Sequence, residues 1–159
     1  MQLIDYHQLS RAQREQLNDL QVYPEQVRFA GDIANALYVL LSVDSDDRRG
    51  IVLLVEDVPK AFMLLERGAH LPTWARPDAV TLNAFQVDRR CQGQGLGRFC
   101  MGALPSLVRA LWPQARMLQL SVDPDNQAAI GLYRASGWSH SGKGYRARVH
   151  HEWAMTLPL

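Results

Sequence analysis

The chain has 159 residues, with 17 Lys and Arg against 16 Asp and Glu, and 47% of it is hydrophobic. That length suits a single domain, 1–159, whose core needs neither a metal nor a disulfide. The net charge of +1 argues against a nucleic-acid partner, and the apolar content argues against intrinsic disorder.

Residues 2–6 read as a short first strand, and 9–20 as a polar helix with Ser10 at its N-cap. Pro24 suits the first position of a second helix, about 24–41. Val27, Ala30, Ile33, Ala34, Leu37, Tyr38 and Leu41 follow there at helical spacing. A polar loop with Asp44, Asp46 and Asp47 precedes two apolar runs, 51–56 and 60–66, which read as a hairpin with Glu56-Asp57-Val58-Pro59 between them. After a long connection, 79–87 is the next strand. A glycine-rich turn then opens a helix from residue 95 whose apolar positions run from Leu96 to Trp112, with Pro105 expected to kink it. Residues 117–122 alternate as a strand, Asn126 to Ser136 reads as a helix ended by Gly137, and closing strands are expected at 138–142 and 145–157. Strands alternating with helices predict an α/β fold, a mixed sheet with helices on both faces.

No apolar run approaches the roughly 20 residues needed to cross a bilayer, so no membrane partner is expected. The first residues lack the charged and apolar regions of a signal peptide. Cys91 and Cys100, the two thiols, form no CxxC pair. A reducing, cytoplasmic setting is the expectation.

Three of the 11 glycines, Gly93, Gly95 and Gly97, fall in one strand-to-helix turn. Glycines there let a ligand approach the backbone, and the N–H groups of a helix start bind phosphate. The turn is not a P-loop, because no Gly-Lys-Ser/Thr occurs. It is not a dinucleotide fingerprint either, since the third glycine of GxGxxG falls on Arg98 or Cys100.

Gln92-Gly93-Gln94-Gly95-Leu96-Gly97 resembles the Gln/Arg-x-x-Gly-x-Gly/Ala signature of the GCN5-related N-acetyltransferase (GNAT) superfamily. Asn126-Gln127-Ala128-Ala129-Ile130-Gly131-Leu132-Tyr133, followed by Gly137-Trp138, resembles that superfamily's second block. The resemblance implies a GNAT-like acyl-CoA N-acyltransferase fold and acetyl-CoA as cosubstrate, with no metal. It implies that backbone N–H groups from Gln94 through Arg98 hold the CoA pyrophosphate. It implies that the backbone of Phe85 and Val87 pairs with the pantetheine arm, on a strand that splays from its neighbour. Asn126 would contact the CoA arm, and Tyr133 would protonate the departing thiolate. Asn126 is equally a good helix N-cap, and Tyr133 an ordinary core residue.

Many relatives carry a Glu on the fourth strand as base, where this chain has Asn83, and an amide is no base at neutral pH. Water between polar side chains is one route for the amine proton, with Glu152 a candidate at its far end. Adjacent His150 and His151 point to opposite faces of a strand and do not suit a shared metal. The resemblance implies a small-molecule or peptide amine as the acceptor. Val22 to Phe29 resembles loosely the bacterial spermidine and diamine acetyltransferase branch, which suggests a cationic amine met by Glu25 or Glu66, with Trp74 at the mouth. Arg89, Arg90 and Arg98 flank the glycines as a local anion site. A non-catalytic acyl-CoA-binding module is the competing reading, motivated by Asn83. A homodimer is an expectation by association with the superfamily.

Overall fold

The computed structural model describes residues 1–159. A seven-stranded sheet runs in the order β1-β2-β3-β4-β5-β7-β6. Its strands are β1 Gln2–Asp5, β2 Arg48–Val55, β3 Val58–Glu66, β4 Ala79–Val87, β5 Met117–Val122, β6 Ser139–Arg146 and β7 His151–Pro158. Every neighbouring pair is antiparallel except β4 and β5. Helices α1 Arg11–Leu17, α2 Pro24–Ala30 and α3 Ile33–Ser42 follow β1, α4 Leu96–Leu111 joins β4 to β5, and α5 Gln127–Ala135 follows β5.

Two apolar cores sandwich the sheet. Ile51, Leu53, Met63 and Leu65 face α4 and α5, whereas Val52, Leu54, Phe62 and Leu64 face α1 and α3. Covering both faces explains why β2 and β3 are almost unbroken apolar runs.

Local chemistry sets the element ends. Ser10 Oγ accepts from Gln13 N while Gln13 returns the bond to Ser10 N, so α1 opens on a capping box. The single helix expected over 24–41 is two helices. Gly31 leaves helical space with φ 72°, and Asp32 restarts the chain by accepting from Asn35 N at 2.8 Å. The apolar spacing continues across the break, which is why the sequence reads as one helix. The hairpin turns at Glu56 and Asp57, both with positive φ, in the first half of the expected Glu56-Asp57-Val58-Pro59 connection. Pro59 lies inside β3 beside a register shift, where a missing N–H is tolerated. Pro105 does not end α4. The closing strands meet at 147–150 instead of 143–144, because Gly142 and Gly144 serve irregularities within β6 and not a turn.

No helix is long and apolar enough to cross a membrane.

Candidate active site

β4 and β5 separate after three pairs, Ala79, Val80 and Thr81 against Met117, Leu118 and Gln119. Beyond them the β5 side of β4 has no partner strand, while its other edge stays bound to β3 as far as Val87. A β-bulge accompanies the separation. Ala84 has φ 51°, and the β3 register shifts between Phe62 and Leu64. The extra residue breaks the alternation, so Leu82, Phe85 and Val87 pack toward α4 and α5 while Ala84 packs on the opposite core. The gap is a cleft of about 710 Å³ walled by Phe85 and Val87 on one side and Leu120 and Val122 on the other. Val22 and Phe29 from the N-terminal half, with Pro72 and Trp74 of the long connection, line its mouth.

The glycine turn closes one end of the cleft. Gly95 takes the left-handed conformation, φ 81°, at the N-cap of the 16-residue α4, and no side chain satisfies the first N–H groups of that helix. Gly93, Gly95, Leu96 and Gly97 line the cleft. Gln94 and Arg98 are exposed and stand outside the lining. Gln92 points inward: its amide donates to the Val87 carbonyl at 2.9 Å and to Gln26 Oε1 at 2.9 Å. Gln26, on α2, lies in the segment with the loose small-amine likeness, but nothing in the sequence marks it as the partner of Gln92. The cationic flank is also different from expectation. Arg90 is bound to buried Asp88 at 2.6 Å, which leaves Arg89 and Arg98 as the arginines here without an ion pair. Asp88 sits two residues before Arg90 on a short helical turn, close enough to take both its backbone N–H and its guanidinium.

α5 supplies the facing wall. Asn126 caps it, accepting from Ala129 N at 3.3 Å, and lines the cleft as well. Tyr133 lies about two turns further along α5, packed against Trp138 with ring centroids 5.7 Å apart. Burial pushes its phenol above the usual tyrosine range. Asn83 also reaches the cleft, but its amide donates to Glu66 Oε1 at 3.2 Å and to Thr81 Oγ1 at 3.1 Å. Glu66 in turn is paired with Arg48 at 2.8 Å, so it offers no free charge. Glu25 is exposed and does not line the cleft. Neither carboxylate therefore meets the expectation of an acidic acceptor wall.

Glu152 does line the cleft, on β7, and accepts from Ser121 Oγ at 2.9 Å. Gln86 is another residue that the sequence does not single out. It lines the cleft, it is 2% exposed, and neither end of its amide has a partner. Cys91 lines the cleft, whereas Cys100 is buried and its thiol is pushed up to about 12. His150 faces Asp123 at 3.7 Å, and no three His, Cys, Asp or Glu side chains converge in a metal-binding group.

Residues 9–138 match the family model described as "Acetyltransferase (GNAT) family". The chain belongs to the GNAT acetyltransferase family. It is an acyltransferase, and the mixed, open sheet is the family's acyl-CoA N-acyltransferase fold. An uncharacterized N-acetyltransferase, YbbJ of Bacillus subtilis (strain 168), is 27% identical over 113 residues, 66% of this chain and 71% of the relative. Two solved GNAT folds overlay nearly the whole chain. The GNAT domain of S. lividans PAT does so with a TM-score of 0.73 at 18% identity, over 99% of this chain and 89% of that one. A spermidine N-acetyltransferase from Vibrio cholerae, in complex with CoA and spermine, gives 0.69 at 15%, over 99% and 94%.

The GNAT cosubstrate fits the residues present. Apart from the glycine and its chain neighbours, nothing lies within 4 Å of where a Cβ would sit on Gly93 or Gly95, so an approaching anion meets bare backbone. At Gly97 a Cβ would stand 3.1 Å from Leu132 Cδ2, narrowing the crevice between α4 and α5. The unpaired edge of β4 leads from that turn into the cleft.

Proposed function

We propose that this enzyme transfers the acetyl group of acetyl-CoA directly to a primary amine, with the cleft between β4 and β5 as the meeting place. The observation that carries the proposal is the separation of those strands after Thr81, which leaves an open β4 edge facing Tyr133. Residues 1–159 act as one catalytic domain, because both cores share the one sheet.

Acetyl-CoA supplies an activated acetyl thioester. The N–H groups from Gln94 through Arg98, at the uncapped start of α4, bind its pyrophosphate. Phe85 and Val87 act through their backbone, offering the unpaired edge to an extended, amide-bearing arm. A backbone N–H near Phe85 steadies negative charge on the reacting carbonyl oxygen. Asn126 holds the arm from the α5 side. Tyr133 keeps its proton at working pH, since burial raises its pKa, and gives that proton to the leaving sulfur. Asn83 takes no proton itself, and its amide is held by Glu66.

A small amine or polyamine is the acceptor we favour, on the loose likeness of Val22–Phe29 to the spermidine and diamine branch. Gln86 favours a second reading. Its unpaired donor and acceptor complement a peptide group, which suits a protein or peptide amine. The two free thiols suit a reducing cytoplasm.

Thiol release from acetyl-CoA, measured over a panel of polyamines, alkylamines and peptide amines, tests the proposal. Turnover on one class identifies the acceptor. Tight CoA binding without turnover on any amine leaves a non-catalytic acyl-CoA-binding module instead. Accumulation of acetyl-cysteine on Cys91 or Cys100 during turnover overturns direct transfer.

A further inference from the structure

Asn83 leaves the reaction without the usual carboxylate on β4, so the proton of the acceptor must go elsewhere. Among the residues lining the cleft, Asp123 and Glu152 are the carboxylates, and there is no His or Lys. Asp123 Oδ1 is engaged twice, by Asp125 N at 2.8 Å and by His150 at 3.7 Å. Glu152 holds one hydrogen bond, from Ser121 to Oε1, and its Oε2 has no protein partner.

Ser121 is itself held. It accepts from Tyr145 N at 2.7 Å, so its own proton is free to be donated to Glu152. The β6 backbone presses on this serine: a Cβ on Gly144 would collide with Ser121 Oγ and stand 3.2 Å from the Trp153 carbonyl carbon. The irregularity between Lys143 and Arg146 places Gly144 and Tyr145 opposite Glu152. Three strands therefore meet at this carboxylate, with β7 carrying it, β5 orienting it and β6 fixing the orienting hydroxyl.

We propose that Glu152 is the base of this enzyme and that Ser121 is its positioning residue, so that a cationic amine is recognised and deprotonated on the β5–β7 side of the cleft. The inference rests on the transfer reading above. An alkylammonium ion has a pKa near that of Lys, about 10.4, and must lose a proton before it can attack. Glu152 Oε2 accepts that proton. The freed nitrogen lone pair forms the C–N bond, and the C–S bond breaks. On collapse Tyr133 gives its proton to sulfur, the second nitrogen proton leaves to water and water reprotonates the Tyr133 phenolate. The proton on Glu152 also passes to water, so that one proton is released per turnover.

The surroundings suit the task. Burial lifts the Glu152 carboxyl above the ordinary Glu range, and nearby Asp123 adds to the lift. The Ser121 bond and His150 act the other way. From β6, Lys143 and Arg146 form no ion pair with it, and Tyr145 reaches it only through Ser121. From α5, the buried Tyr133 stays neutral.

Glu152→Gln and Ser121→Ala test the assignment with three readouts. Glu152→Gln is expected to lower kcat/KM for the best amine by roughly 10²–10⁴ and to abolish the low-pH limb of its profile, with CoA affinity unchanged. Ser121→Ala, which removes a bond to the charged form, is expected to move that limb to higher pH. Carbon NMR of the Glu side-chain carboxyls in the CoA-free protein reads the same group directly. One resonance, missing in Glu152→Gln, should titrate above the others and move higher still in Ser121→Ala. Retention of kcat/KM within about threefold in Glu152→Gln, or a Glu152 resonance that ignores Ser121→Ala, overturns the inference alone. Absence of turnover by the wild-type enzyme on every amine overturns the transfer reading beneath it.

Discussion

Gln26 and Gln92, 66 residues apart, pair amide to amide, with N–O distances of 3.1 and 2.9 Å in the two directions. The pair ties α2, which borders the mouth of the cleft, to the turn that opens α4. Gln26 is held in turn by Tyr23 N at 3.1 Å, and Gln92 holds the last carbonyl of β4. A change at the acceptor entrance thus reaches the proposed pyrophosphate cradle through two side chains.

Gln92→Ala strands the Val87 carbonyl and half of the Gln26 amide. Each lost bond of this kind costs about 1 kcal/mol, more where the remaining partner is buried. A fall of several degrees in Tm and a rise of several-fold in the KM for acetyl-CoA are expected, with kcat little changed. The Gln26→Ala, Gln92→Ala double variant should be less damaging than the two losses summed, by about 0.5–3 kcal/mol. Strict additivity in denaturant unfolding would mean that the pair carries no coupling.

Tyr133→Phe removes one hydroxyl from a buried ring and keeps its packing on Trp138. A general acid is worth roughly 10²–10⁴ in rate. The variant should lose that much kcat while its acetyl-CoA affinity, read by calorimetry, stays within about twofold. Because burial raises the phenol pKa, wild-type activity should show no alkaline limb from Tyr133 below its ordinary value of about 10. An unchanged kcat in Tyr133→Phe removes it from the mechanism.

Asp88 and Arg90 give the fold a defined acid sensitivity. The hydrogen bonds from Arg90 hold the Asp88 carboxyl below the usual Asp range, against the opposing effect of burial. The unfolded chain then binds this proton more readily than the folded one. The contribution is complete above the ordinary Asp value of about 3.9 and fades as pH falls through the depressed folded value. Arg90→Ala should lower Tm at pH 7, and the gap from wild type should narrow toward pH 2–3. A gap that stays constant across that range would assign the arginine a packing role only.

Most of the strand plan is legible in the sequence because its signals are local. β4 and β5 are expected and found at 79–87 and 117–122, where alternation and flanking turns agree. The glycine turn and the Asn126–Gly137 block are equally local, so the side chains that flank the cleft are nameable from motifs. The residues that escape are those defined by distant partners. Gln26 matters only because α2 packs beside Gln92, and Ser121 only because β6 brings Tyr145 N against it. The bulge at Ala84 has no local marker, since neither glycine nor proline stands there. Arg90 fails as an anion site for the opposite reason. Its partner Asp88 is close in sequence, but only burial of that carboxylate makes the pair a fixed one.

Gly95 and Gly97 separate the conformational role of the turn from its binding role. Gly95 sits at φ 81° with open space around the missing Cβ, so Gly95→Ala meets no neighbour but forces an L-residue into left-handed space. A loss of about 1 kcal/mol is expected. Gly97 lies in the first turn of α4, and its absent Cβ faces the flexible end of Leu132 at 3.1 Å. Alanine there gains up to about 1 kcal/mol of helix propensity, offset by the shift it demands of Leu132. Gly97→Ala should therefore fold with nearly wild-type Tm yet bind CoA more weakly, because Leu132 and the added methyl both enter the crevice between α4 and α5. Equal CoA affinity in Gly97→Ala and wild type would place the pantetheine away from that crevice.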